Sequence, residues 1–255
     1  MPEFTDSLPE EDLSLANGEQ LKLHFGQLIV YIERHGNEWN ISHLYWHAVP
    51  GHSVRQYGRV THLRYFFDDT EQRLRIGPRL ADRPVVSRPH SPITLMHRGT
   101  VRVYVSSPLY VQISIGGQQL LELPSVRLSD TWFGKRTGEG ELCYSDSTRA
   151  RLHNDENLAT GYKVVTPISI RNMSGEPLVI DRINVPLPML SLFRCTQNHD
   201  AYASASLTIK LGAEAEETEV EIDPDPGLKQ YRLIAAARKP QRKQLLHRAI
   251  DLILG

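Results

Sequence analysis

The sequence predicts an all-β protein: an antiparallel β-sandwich architecture with two sandwich-like units and a short C-terminal helix. Apolar and polar residues alternate with a period of two in many short segments, and clusters of glycine and proline separate these segments. Helical periodicity is confined to residues 9–16 and 241–254. Short strands with frequent turn signals are typical of sandwiches and barrels. With 255 residues and a hydrophobic fraction of 40%, the chain is large enough to bury a substantial core.

Two pairs of alternating segments predict hairpins. Residues 28–34 and 39–46 flank a turn at residues 35–37. The second pair flanks Gly116-Gly117, where an unshifted two-residue loop would place a glutamate opposite Val111. A shift by one residue pairs Ile113 with Leu121 and Val111 with Leu123, which keeps the apolar face intact. We therefore predict a bulged, three-residue loop for the second hairpin.

The second half of the chain contains two informative turn and edge signals. Pro167 lies inside the alternating segment 164–170, which predicts an edge strand or a bulge because proline lacks a backbone N–H. Residues 214–225 carry seven acidic side chains, and residues 229–248 carry seven basic ones. A hairpin about the Pro-Gly turn at 223–227 would place these opposite charges side by side.

Composition divides the chain into four segments. We predict a flexible acidic leader over 1–17, a first sandwich unit over 18–135, a second over 136–240 and an amphipathic helix over 241–255. The central boundary is set near a polar, glycine-rich stretch.

The C-terminal segment has the periodicity of an amphipathic helix that begins after Pro240. A basic face beside an apolar stripe fits an anionic membrane or a protein partner, and the alternative is a helix docked on its own sheet. The predicted partner-binding residues are Arg242, Lys243, Leu246, Arg248 and Ile250.

The composition indicates a cytoplasmic protein without a polyanionic partner. The net charge is −1, no apolar run reaches the length of a membrane span, and the N-terminus lacks the pattern of a signal peptide. The two cysteines, Cys143 and Cys195, are interpreted as reduced thiols, since a secreted disulfide framework uses more cysteines.

The sequence contains no motif for catalysis. The stretch 134–140 includes Gly-Lys, but Ser129 stands where a phosphate loop needs its first glycine. No Gly-x-Ser-x-Gly elbow occurs. We therefore assign no catalytic residue and no cofactor.

A histidine-rich segment provides the alternative hypothesis, a metal- or small-ligand-dependent enzyme. Its candidate ligands are His43, His47, His52 and His62. His43 and His47 point to the same side of a strand, yet they lie too far apart to share one ion without curvature. No Cys-x-x-Cys or His-x-Glu pattern accompanies them, so surface or packing histidines are the other interpretation.

Aromatic residues and arginines interleave in the first third of the chain. The cluster comprises Trp39, Tyr45, Trp46, Tyr57, Tyr65, Phe66 and Phe67 with Arg55, Arg59 and Arg64. Such residues stack on sugars or nucleobases, but aromatic side chains also fill the cores of sheets. The sequence leaves both interpretations open.

Four strand segments share a pattern with a known family. They are 83–89, 101–115 around Ser107-Pro108-Leu109, 168–174, and 179–192 around Val185-Pro186-Leu187-Pro188. Together they resemble a prokaryotic family of unassigned function, the domain-of-unknown-function family four-three-two, over roughly residues 18–236. The resemblance implies a bacterial or archaeal protein of similar size, and some members are encoded beside small mechanosensitive channels. The family defines no catalytic residues, so none carries over.

We therefore expect a non-catalytic binding or regulatory protein, acting as an accessory of a membrane channel or with another cytoplasmic partner. In that role the protein would be cytoplasmic and peripheral to the inner membrane. A homodimer is a further alternative, since the edges of sandwiches often mediate pairing.

Overall fold

The computed structural model describes residues 1–48, 55–69, 71–134, 140–153, 161–212, 219–228 and 230–240. For Arg55 and residues 146–149 it describes only the backbone. In this part of the chain the regular structure is β-strand, with one 3-10 turn at Leu187–Met189 and no α-helix. The predicted all-β class is confirmed.

The described residues form 22 strands, numbered in chain order. They are β1 (Glu3–Thr5), β2 (Gln20–Phe25), β3 (Leu28–His35), β4 (Glu38–Ala48), β5 (Arg55–Tyr57), β6 (Thr61–Phe66), β7 (Leu74–Arg79), β8 (Val85–Pro89), β9 (Ile93–Leu95), β10 (Thr100–Pro108), β11 (Tyr110–Ile115), β12 (Gln118–Pro124), β13 (Ser129–Phe133), β14 (Glu141–Ala150), β15 (Lys163–Asn172), β16 (Leu178–Ile180), β17 (Ile183–Val185), β18 (Leu192–Cys195), β19 (Tyr202–Ser204), β20 (Ser206–Leu211), β21 (Glu219–Asp223) and β22 (Tyr231–Ala235).

The chain folds into two compact units, and each unit draws on two separate segments. The first comprises Met1–Arg79 and Pro108–Arg127, and the second comprises Leu80–Ser107 and Leu128–Gly255. Residues 80–107, which were predicted to lie in the first sandwich unit (18–135), thus belong to the second unit. They do so because β8 pairs with β14 and β9 pairs with β16, both later in the chain.

The first unit contains a six-stranded sheet built in chain order. Its strand order is β1-β2-β3-β4-β5, and β6 also pairs with β4. Strands β3 and β4 form the predicted hairpin, in which His35 faces Glu38 across the turn Gly36-Asn37. One face of the sheet is buried, and it carries Leu21, Leu23, Phe25, Leu28, Val30, Ile32, Trp39 and Ile41.

A three-stranded sheet of order β12-β11-β7 completes the first unit. The predicted register is confirmed, with Ile113 opposite Leu121 and Val111 opposite Leu123. The predicted three-residue loop is wrong, because the loop holds only Gly116-Gly117 and the extra residue is Leu120, a bulge within β12. Both glycines have positive φ, 57° and 79°, which permits the tighter loop, and the bulge then restores the apolar pairing.

The second unit contains sheets of seven, four and two strands. Their orders are β21-β20-β15-β19-β18-β22 with β10 paired to β15, then β13-β14-β8-β17, and β16-β9. Strand β15 is not an edge strand, because it pairs with β20, β19 and β10. Pro167 lies between the part of β15 that pairs with β19, which ends at Val165, and the part that pairs with β20, which begins at Ile168.

The hairpin predicted about the Pro-Gly turn at 223–227 is wrong. The acidic strand β21 pairs with β20, and β22 pairs with β18. Apolar pairing decides this arrangement, because Val220 faces Ile209 on the same ladder. Lys210 of β20 then neutralises part of the acidic strand: its Nζ lies 2.7 Å from Glu221 and 3.3 Å from Glu219.

The two ends of the chain differ in what the structure describes. The first 17 residues contain more structure than the predicted flexible leader: β1 pairs in parallel with β2, and Leu8 and Leu15 are each 2% exposed. The predicted helix over 241–255 lies outside the described residues. Across the portions that are described, we find no helix with the length and apolar character needed to cross a membrane.

A buried asparagine ties two strands and a turn of the second unit together. Nδ2 of Asn172 donates to the carbonyl oxygens of Leu95 (2.9 Å) and Glu176 (2.8 Å). Its Oδ1 accepts from the backbone N–H (2.9 Å) and the hydroxyl (2.7 Å) of Ser174. The amide is fully buried and all of its hydrogen-bonding positions are used, so it determines the local backbone path.

Replacing Asn172 with alanine is expected to lower the free energy of unfolding by about 3 kcal/mol, because the carbonyl oxygen of Leu95 and the backbone N–H of Ser174 lose a buried hydrogen-bond partner. Urea denaturation followed by tryptophan fluorescence measures the change. Asn198→Ala is the control, since Asn198 is exposed and holds a surface turn through the N–H of Asp200 (3.1 Å). Equal losses in the two variants would contradict the role assigned to Asn172.

Candidate functional site

Alternation along β4 separates the residues of the predicted aromatic cluster onto two faces. Trp39 and Tyr45 point to the buried face, with 1% and 6% exposure, whereas Trp46 points to the opposite face. We call that opposite side of the six-stranded sheet the outer face. By register it carries Glu3, Gln20, Lys22, His24, Ile29, Tyr31, Glu33, His35, Glu38, Asn40, Ser42, Leu44, Trp46, Tyr57, His62, Arg64 and Phe66, and Ile29 is buried there.

One end of the outer face is formed by two aromatic partners across β4 and β5. Trp46 is directly opposite Tyr57, which is 57% exposed. The indole Nε1–H of Trp46 is shared between Nε2 of His24 (2.9 Å) and the carbonyl oxygen of Gly26 (3.1 Å). The indole is therefore held in one orientation while the neighbouring phenol projects into solvent.

Lys22 occupies the middle of the outer face. It lies opposite Tyr31 on β3 and opposite Glu3 on β1, and its Nζ is 2.7 Å from a Glu3 carboxylate oxygen. The hydrogen bond to Glu3 raises the pKa of Lys22, and Tyr31 and Tyr57 act in the same direction.

The far end of the outer face pairs an arginine with a phenyl ring. Phe66 is 69% exposed, and the guanidinium of Arg64 lies 5.6 Å from its ring centroid. Nε of Arg64 donates to Glu38 at 2.7 Å, and this hydrogen bond lowers the pKa of Glu38 and raises that of Arg64. The ion pair holds the guanidinium over the ring.

The outer face combines exposed rings with balanced charge. Lys22 is paired with Glu3 and Arg64 with Glu38, and Nε2 of His35 lies 3.0 Å from a carboxylate oxygen of Glu33. Paired charges provide little excess potential to attract phosphates, so this surface lacks the basic character of a nucleic-acid interface. Exposed tyrosine, tryptophan and arginine are instead the side chains that dominate binding at protein interfaces.

The predicted histidine site does not assemble from its described members. His62 lies on the outer face, where its Nδ1 is 2.8 Å from the hydroxyl of Ser42, whereas His43 points to the buried face. His47 lies four residues along β4 from His43, about 13 Å away on an extended strand. His52 lies outside the described residues. Across the described ranges, no three histidine, cysteine, aspartate or glutamate side chains are grouped to hold a metal.

The predicted partner contacts of the terminal helix are likewise outside the described part of the chain. They are Arg242, Lys243, Leu246, Arg248 and Ile250. Their role stays a prediction.

The aromatic residues that cluster in the sequence thus divide into a buried group and an exposed group. Core packing is the correct interpretation for Trp39 and Tyr45, whereas Tyr57 and Phe66 are exposed and stacking on a ligand stays a prediction for them. Sequence reasoning missed Lys22 and its neighbours on β2 and β3. The alternation of β2, with three buried residues between polar ones, was the signal that could have placed Lys22 on the exposed side.

His43 belongs to a half-buried polar group at the rim of the core. The rings of His43 and Tyr45 meet edge to face at 6.4 Å, and the guanidinium of Arg127 lies 4.6 Å from the Tyr45 centroid. The Tyr45 hydroxyl donates to the carbonyl oxygen of Pro124 at 2.9 Å. Burial lowers the pKa of His43, with a further contribution from Arg127, and burial raises the pKa of Tyr45.

The buried thiol of the second unit, Cys143, is a poor nucleophile near neutral pH. Cys143 packs with Val86 and Phe133, and burial raises its pKa to about 12, with Glu141 adding to the shift. Since the thiolate is the nucleophile, a thiol with this pKa is unsuited to covalent catalysis near neutral pH.

Fold and surface together define an all-β protein of two units with an aromatic, charge-balanced sheet face. The family model described as "Protein of unknown function (DUF432)" matches residues 11–254. The chain therefore belongs to this family, as its strand segments indicated. No curated protein and no solved structure matches the chain.

The lowered pKa of His43 predicts a loss of stability in acid. The folded protein disfavours the imidazolium, so stability is complete above the ordinary pKa of 6.5 and falls as the pH drops through the lower folded-state value. His43→Gln is expected to flatten the pH dependence of the unfolding free energy in this interval. Urea titrations across it measure the slope, with the exposed His47→Gln as control. An unchanged slope in His43→Gln would contradict the assignment.

Proposed function

We propose that this protein is a non-catalytic binding or regulatory protein that docks a protein partner on the outer face of the six-stranded sheet. The observation that carries the proposal is the exposure of Tyr57 and Phe66 beside side chains held in place by hydrogen bonds. Large exposed rings are unfavourable in water, and they are typical anchors of protein interfaces.

Preorganisation of this face supports binding. Trp46 is held by His24, Lys22 by Glu3, and Arg64 by Glu38. Because these side chains are already held in place, they lose less conformational entropy when a partner covers them than freely moving lysine or arginine side chains would. The ion pair of Arg64 with Glu38, at the far end of the face, would favour orientation and partner choice more than affinity.

We propose a membrane channel as the partner, contacted from the cytoplasm. The support is the genomic context that the family resemblance implies, together with the basic amphipathic sequence of residues 241–255. Two linked contacts, the outer face and the terminal segment, would act cooperatively because the second binding event becomes intramolecular.

We also propose that the two sheets of the first unit pack face to face as a sandwich. The six-stranded sheet buries one face, and the three-stranded sheet buries Val111, Ile113 and Ile115 completely. A shared core between these apolar faces would leave the outer face of the larger sheet available to a partner.

The test is affinity capture of channel subunits from detergent-solubilised native membranes, with identification by mass spectrometry. The full chain is expected to recover a mechanosensitive channel. The double variant Tyr57→Ala/Phe66→Ala and a chain ending at residue 240 are each expected to recover at least fivefold less, since each removes one contact. Met173→Ala/Leu233→Ala is the matched control, because those side chains are 61% and 58% exposed in the second unit.

Thermal melting establishes that each variant is folded before its capture is compared. Absence of channel subunits from the full-chain sample, or equal recovery by all variants, would contradict the proposal.

A further inference from the structure

We infer that the second unit carries a separate binding site for a neutral saccharide on its four-stranded sheet. The site is independent of the outer face of the first unit. We call it the Trp132 site, and its residues are Asp82, Arg83, Asp130, Trp132, Leu142 and Tyr144.

Alternation along β13 and β14 separates this site from the core. Phe133 and Cys143 point inward, with 1% and 0% exposure. Trp132 therefore points to the opposite side, where it lies directly across from Leu142. Both are exposed to solvent, at 50% and 43% exposure, so two large apolar side chains lie next to each other on this face.

The indole ring of Trp132 is held in position by the backbone at Gly140. Gly140 approaches the edge of the indole so closely that a Cβ at this position would lie 2.4 Å from Nε1. Only glycine permits this approach of backbone to ring. The close contact restricts the indole while half of its surface stays exposed, which is the geometry that a stacking ligand needs.

Polar groups beside the ring are ordered into a network. The Tyr144 hydroxyl donates to Oδ1 of Asp82 at 3.0 Å, and Nη1 of Arg83 donates to Oδ1 of Asp130 at 3.2 Å. The Arg83 guanidinium also lies 5.3 Å from the centroid of the Tyr144 ring. Carboxylate acceptors and guanidinium donors thus stand side by side on the face that carries Trp132.

This combination matches the chemistry of a sugar ring. A pyranose has one face of C–H groups, which are attracted to the electron-rich face of an indole. Its hydroxyl groups both donate and accept, so they can bond carboxylates and a guanidinium at the same time. Few other small ligands present an apolar face and a rim of hydroxyls together.

The charge of the site selects against phosphates. Asp82 and Asp130 provide two negative charges and Arg83 provides one positive charge, so the residues of the site sum to −1. A nucleotide or an anionic glycan would meet repulsion here, whereas a neutral sugar would not. We therefore assign the neutral class rather than nucleic acid.

Isothermal titration calorimetry of the full chain tests the inference. The probes are neutral hexasaccharides of glucose, xylose, mannose and N-acetylglucosamine, with inorganic phosphate and oligouridylate as anionic comparators. At least one neutral probe is expected to bind. Trp132→Ala should then weaken binding at least tenfold, Trp132→Phe should retain part of it, and Asp130→Asn should weaken it severalfold.

Met173→Ala is the control, since it shortens a side chain of the second unit that is 61% exposed and lies outside the Trp132 site, and it should leave saccharide binding unchanged. Melting temperatures confirm that the variants are folded. The inference is overturned if no neutral probe binds at millimolar concentration, if only the anionic probes bind, or if Trp132→Ala binds as well as the unaltered chain.

Discussion

The register between β3 and β4 is the constraint on which both faces of the first unit depend. Side chains of a strand alternate, so a slip of one residue would move every buried residue to the surface. The two-residue turn at Gly36-Asn37, with Gly36 at a φ of 60°, joins the strands at one end of the ladder. Pairing of Ile32 with Ile41 then continues the buried row. The same register places the alternate residues of β3 and β4 on the outer face.

Ion pairs on the outer face act on geometry more than on stability. Lys22 with Glu3 and Arg64 with Glu38 lie at the protein surface, where solvent screening leaves ion pairs with little net effect on stability. Arg64 lies over the exposed ring of Phe66, so its hydrogen bond to Glu38 fixes the geometry of that contact. Stability resides in the buried rows, where Trp39 and its neighbours are removed from water.

The alternation of apolar and polar residues predicted strand pairings between segments that are close in the sequence. Alternation around Gly116-Gly117 predicted the pairing of Val111 with Leu123, because a buried face tolerates one register only. The place of the extra residue was not predictable from alternation, since a bulge at Leu120 and a longer loop give the same pairing further along. Partners distant in sequence were also missed: β21 pairs with β20 because their apolar rows match, although the charge pattern favoured the following segment. The aromatic cluster was visible in the sequence, but its division between core and outer face required the strand register.

The most direct test of this account is hydroxyl-radical footprinting of the full chain, read residue by residue by mass spectrometry. The account predicts rapid oxidation of Tyr57 and Phe66 and strong protection of Trp39 and Tyr45, in line with their exposed and buried positions. Protection of Tyr57 and Phe66 together with rapid oxidation of Trp39 and Tyr45 would show that the faces of the six-stranded sheet are reversed, and the binding surface proposed for the first unit would not exist.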